Sequence, residues 1–207
     1  MFNPFKAFKS QAPATTRPSP PSPAAASVRD ALVPRIKHLA FERHLRGVGM
    51  PPEQLPLFEP LVGELLVTYA FDMPDQFVMA NPTNLARAGI APGEARALAC
   101  ANLIARMPKI TIGRQKGALL VVTGGDWEAC LLLLDGLWSG AQARFEAGCV
   151  VCAPRRDRLL VSDGCSTDAA AALRVAAASY FAEHDDGHAL SVQPMTRQGP
   201  IWQLLAQ

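Results

Sequence analysis

Residues 149–162, CVVCAPRRDRLLVS, read as two short apolar runs on either side of a charged turn. Each run is rich in Val and Leu, and the PRRD segment between them carries turn chemistry, so the stretch predicts a β-hairpin: strands over Cys149–Ala153 and Arg158–Ser162. A hairpin makes its two strands antiparallel neighbours. The same grammar repeats outward. Downstream, Thr167 or Asp168 is positioned to cap an alanine-rich helix that runs to about His184, and Ala189–Thr196 with Pro200–Leu205 predicts a last hairpin around Gln198 and Gly199. Upstream, a helix is expected over Trp127–Gln142, preceded by strands at Lys109–Gly113 and Ala118–Thr123. Still earlier, Leu61–Phe71 reads as a buried strand paired with Gln76–Ala80 across an MPD turn. Asn81 and Pro82 then start a short helix, and Ala91–Met107 reads as a longer one with Leu98, Ala101, Leu103 and Ile104 on its apolar side. Strands in pairs, each pair followed by helix, define an α+β fold: an antiparallel sheet of repeated strand-strand-helix units with helices covering one face.

The chain has 207 residues and is 49% hydrophobic and 18% charged, enough to bury a core. Three regions are expected. Residues 1–26 are a Pro/Ala-rich tail: five prolines fall within QAPATTRPSPPSPAAA (11–26), behind a terminus with Phe2, Phe5 and Phe8 near Lys6 and Lys9. Residues 27–50 read as a basic amphipathic helix capped by Ser27, with Val28, Leu32, Ile36 and Leu39 at helical spacing and Arg35, Lys37, Arg43 and Arg46 on its other side. Residues 57–207 form the α+β body. Residues 1–50 carry eight Lys/Arg and two Asp/Glu, a net of +6, and the remainder carries twelve against sixteen, a net of −4. The body is therefore a poor nucleic-acid surface, and contact with a membrane surface would fall to residues 1–50. Pro4, Lys6 and Lys9 interrupt the apolar run a secretory signal needs, so a cytoplasmic location with reduced cysteines is expected.

Polar chemistry gathers at few places. Arg155, Arg156 and Asp157 stand at the hairpin turn, where two guanidiniums could grip a carboxylate or phosphate. Asp126, Trp127 and Glu128, in TGGDWE, open a helix whose amides could hold an anion; Asp126 serves more simply as its N-cap. Cys149 and Cys152 have CxxC spacing, but three apart on a strand they face opposite sides and read as core thiols. Cys165 reads as an exposed loop thiol. The EHDDGH run (183–188) suits a helix end and turn better than a metal site. No metal or cofactor is expected. Trp127, Trp138 and Trp202 read as core or rim aromatics.

GGDWEACLLLLDGLW (124–138), VVCAPRRDRLLVSD (150–163), HALS (188–191) and GPIWQLL (199–205) together resemble, in order and spacing, the YtpQ-like family of bacterial proteins. Cys130 stands where that family tends to carry Ser, and Arg155 where a small polar residue or His is expected. The resemblance spans about residues 57–207 and implies a cytoplasmic bacterial α+β protein of uncharacterised function. The functional expectation is a non-catalytic protein-binding or regulatory module. The alternative is a hydrolase-like or transferase-like enzyme that acts on an anionic substrate through the GGDWE and PRRD segments.

Overall fold

LLVTYAFD is apolar on both faces, and it lies at the middle of the first of two antiparallel sheets in the computed structural model. The structure describes residues 28–107, 109–115, 118–124, 126–142, 148–162, 164, 166–183 and 187–205. The tail expected over residues 1–26, the Ser27 cap, Cys165 and the run His184–Asp186 lie outside the described residues.

The first sheet is built from β1 (Leu32–His38), β2 (Glu59–Val62), β3 (Leu65–Asp72) and β4 (Phe77–Met79). A short helix, α1 (Leu39–Gly47), follows β1. β1 runs along one side of β3, from Leu32 opposite Phe71 to His38 opposite Leu65. β2 and β4 share the other side of β3.

The basic helix expected over residues 27–50 is thus corrected: Val28–Ala31 is a short 3-10 helix, Leu32–His38 is strand, and only Leu39–Gly47 is α-helix. Leu32 and Ile36, four apart, fit both periods, so their spacing does not discriminate. Pro34 does. It would clash and remove a hydrogen bond inside a helix at a cost of about 3 kcal/mol, whereas an edge strand tolerates it. β1 is such an edge. Leu32 and Ile36 are buried in the same core as Val67, Tyr69 and Phe71, so the packed body includes β1, ahead of the expected start near Leu57.

The single strand expected over Leu61–Phe71 is also divided. Gly63 turns the chain at φ 53, between β2 and β3. A Cβ there would come within 2.7 Å of Gln193 Oε1 and 3.0 Å of a Leu204 methyl, so both the turn and the close approach require glycine.

Two helices follow. α2 (Pro82–Arg87) carries the anticipated start, with Asn81 and Asn84 each accepting the other's backbone N–H at 2.9 and 2.7 Å. α3 (Ala95–Arg106) buries Ala95, Ala99 and Leu103, spaced four apart, and leaves Ile104 59% exposed, so the apolar face lies about one step round from the expected one. Its Asn102 donates to the carbonyls of Arg29 and Leu32, at 2.8 and 2.9 Å, and so fixes the start of β1.

β5 (Thr111–Gln115) and β6 (Ala118–Val122) open the second sheet. The chain then forms a 3-10 helix over Glu128–Leu133 and, after a break at Leu134, α4 (Asp135–Gln142). The continuous helix expected over Trp127–Gln142 is therefore two pieces. β7 (Val151–Arg155) and β8 (Arg158–Val161) are the anticipated hairpin, closed by Arg156 and Asp157, with a bulge near Pro154. α5 (Thr167–Phe181) is capped by Ser166, one residue earlier than expected. β9 (Met195–Gln198) and β10 (Ile201–Leu204) form the last hairpin.

The second sheet has the order β10-β9-β7-β8-β6-β5 and is antiparallel throughout. The α+β class is as expected, but the strands make two sheets and do not follow one uniform repeat. α5 packs its Leu173, Ala177 and Tyr180 on one face of the larger sheet, over Val150, Cys152 and Leu160. The other face, with Val121, Val151 and Leu159, shares one core with the first sheet and the Glu128–Leu133 segment. No helix among the described residues is long and apolar enough to cross a membrane.

Burial separates two isoleucines that similar spacing arguments had placed on helices. Ile36→Ala should cost about 2–5 kcal/mol in urea denaturation, as a buried core truncation. Ile104→Ala should stay within about 0.5 kcal/mol of the parent.

Candidate functional site

Two segments 30 residues apart in sequence meet where the sheets join. Asp126 accepts a hydrogen bond from Arg156 Nη2 at 2.9 Å, and the Arg156 carbonyl accepts the Ala129 N–H at 3.1 Å. Arg156 N–H donates to the His188 carbonyl at 3.0 Å. The GGDWE and PRRD segments therefore come together, and each satisfies the other. Asp126 is not the N-cap expected of it: Trp127 occupies that position and makes no side-chain capping bond.

Arg155 is 2% exposed, with Nε 3.5 Å from Asp157 Oδ1, an ion contact without hydrogen-bond geometry. Asp157 Oδ2 instead accepts from Arg158 Nη1 at 2.8 Å. Arg156 and Asp157, taken as candidate grips on an external anion, are thus held to the chain's own carboxylates and arginines, and Arg155 is buried beside them. Glu128, also 2% exposed, turns back so that Oε1 accepts the Thr123 N–H at 2.9 Å; its Oε2 has no hydrogen-bond partner.

Sequence reasoning missed the residue at the centre. Arg35, assigned to the polar side of a helix, is buried on β1. Its Nη1 donates to the Asp126 carbonyl at 3.2 Å. Its Cζ lies 4.0 Å from the centre of the Phe77 ring and 4.9 Å from that of Trp127. Phe77 and Trp127 meet edge to face at 6.0 Å. Burial lowers the pKa of Arg35, and the nearby Arg156 adds to that, while Asp126 opposes it. The strand alternation of Val33, Arg35 and Lys37 around Pro34 was the available signal for this placement.

The thiols are core groups. Cys149 belongs to the core shared by the sheets and Cys152 to the layer under α5, on opposite faces of the larger sheet as their spacing implies. Cys130 Sγ donates to the Pro34 carbonyl at 3.3 Å, and Cys152 Sγ to that of Val192 at 3.6 Å. Burial pushes both thiols up to about 12. Among the described residues, no group of three His, Cys, Asp or Glu is placed to hold a metal ion. Comparison with family models, with curated proteins and with solved structures gave no match for the chain.

Glu128→Leu should lower stability by about 1–3 kcal/mol, since it strips the acceptor from a buried N–H. Glu128→Gln, whose amide oxygen can still accept, should lose much less in the same denaturant titration. A second expectation follows from Cys130 and Cys152. Between pH 9 and the folded value near 12, the unfolded chain binds fewer protons than the folded one, so stability falls as pH rises. Unfolding free energies from urea titrations at pH 8 and pH 10 should differ by about 1 kcal/mol per thiol, and Cys130→Ala should reduce that difference.

Proposed function

We propose that the chain is a non-catalytic protein-binding module that meets its partner on the rim formed by Phe77, Trp127, Asp126 and Arg156. The observation that carries this reading is the state of Phe77. It is 42% exposed, yet its ring is held by the Arg35 guanidinium, which stacks on it, and by an edge-to-face contact with Trp127. A solvent-facing aromatic fixed in place loses little entropy on binding, and Trp, Arg and aromatic side chains dominate the energetics of protein interfaces.

The enzymatic alternative has less support from the same geometry. The Asp126 and Arg156 side chains it would use are closed on each other, and Asp157 on Arg158. The YtpQ-like relationship belongs to the same proposal and rests on the order of the motifs. So do the cytoplasmic setting and the choice of a protein, rather than nucleic acid, as partner.

The test is a pull-down from native extract with the full chain as bait, followed by titration of the captured protein. Phe77→Ala should weaken capture by about 2 kcal/mol, roughly thirtyfold, with an unchanged circular dichroism spectrum. Capture that is unaffected by both Phe77→Ala and Trp127→Ala would remove the reading. Truncation through residue 50 is unsuitable as a control, because it deletes β1.

A further inference from the structure

Lys37 follows Arg35 by two positions on β1, and no carboxylate among the described residues lies within ion-pair distance of its ammonium group. It is half-buried, and its Nζ sits 4.8 Å from the centre of the Phe41 ring. Burial lowers its pKa, and the charges of Arg156 and Arg35 lower it further. Among the described residues, Asp126 is paired with Arg156 and Glu42 with Arg46, while Glu64 accepts from Ser191 at 3.3 Å and lies 3.7 Å from His38. A half-buried ammonium in a cluster of like charge is costly unless an anion completes it.

Lys37 also lines a cleft of about 360 Å³ between α1 and the end of α5. Phe41, Phe181 and Leu190 supply most of its wall, and His44 stands on α1 beside Lys37. The volume is within the range of small-molecule sites, and an apolar wall with one or two placed polar groups is their usual make-up.

We propose that this cleft binds a small organic anion, a carboxylate or phosphate monoester on a ring-sized apolar body, with its charged head on Lys37 and its body against Phe41 and Phe181. The charge selects an anion, since the two arginines that act on Lys37 among the described residues, Arg156 and Arg35, add positive charge to its own. The wall selects an apolar body, since an inorganic ion would leave Phe41 and Phe181 uncovered. This site is separate from the Phe77 rim, though Arg35 and Lys37 connect the two along one face of β1.

The experiment is calorimetric and NMR titration of the full chain with phenyl phosphate, benzoate, inorganic phosphate and benzyl alcohol. At least one aryl anion should bind saturably, with inorganic phosphate at least about tenfold weaker and benzyl alcohol weaker still. Phenyl phosphate against benzoate ranks the two head groups. Lys37→Met should weaken the aryl anion at least about tenfold, and Lys37→Arg should restore most of the binding. Phe181→Ala, at the partly exposed end of α5, should weaken the aryl anions and leave inorganic phosphate unchanged; it decides the matter if Lys37→Met fails to fold. The proposal is overturned if neither aryl anion saturates, if binding ignores both substitutions, or if the perturbed resonances lie away from α1 and Lys37.

Discussion

Six consecutive buried residues, Glu128 to Leu133, set the main constraint on this molecule. Buried backbone must find hydrogen-bond partners, and a short 3-10 helix leaves several groups without them. Here the rest of the chain supplies the partners. Trp138 Nε1 donates to the Leu131 carbonyl at 2.7 Å, and Trp202 Nε1 to the Leu132 carbonyl at 2.8 Å. The two indoles meet edge to face at 4.9 Å. Arg156 accepts the Ala129 N–H, and Glu128 itself satisfies Thr123. The donors and acceptors come from the hairpin β7–β8, from β10 and from α4, so the segment can be buried only when the central hairpin and the β10 edge of the larger sheet are in place.

The surface chemistry follows from that burial. With Ala129 tied to the hairpin turn, Asp126 and Trp127 emerge beside Arg156 on one side and β1 on the other. Arg35 then fills the space between Trp127 and Phe77, and its guanidinium stacks on aromatic faces while it bonds a carbonyl. Charges that looked available for an outside ligand are used to join the sheets. What faces outward is an ordered aromatic edge and, two residues along β1, a lysine over an open cleft.

The parts that were legible in the sequence are those set by local chemistry. The Arg156–Asp157 turn, the Gly199 turn and the Asn81 cap each declare themselves within a few residues. The opposite facing of Cys149 and Cys152 follows from strand geometry alone. β1 reads as helix in the sequence because Leu32 and Ile36 satisfy a helical period as well as an alternating one. Gly63 reads as an interior residue of a strand because Leu61, Val62, Leu65 and Leu66 flank it, with Glu64 the one polar residue among them. The break at Leu134 has no local marker. At the candidate site, Arg156 and Asp157 form the expected hairpin turn while Arg155 ends β7, yet the bond from Arg156 to Asp126 and the position of Arg35 depend on contacts across 30 and 91 residues. No short-range pattern encodes such contacts.

A single core that contains Leu32 and Phe71 from one sheet and Val121, Leu159 and Trp202 from the other has a direct thermodynamic consequence. The two sheets should unfold together. The decisive measurement is equilibrium urea unfolding followed in parallel by tryptophan fluorescence, which reports on the junction, and by far-ultraviolet circular dichroism, which reports on both sheets. Coincident transitions with one midpoint are expected. Two separated transitions, with the indole signal lost while much of the sheet signal persists, would contradict the account.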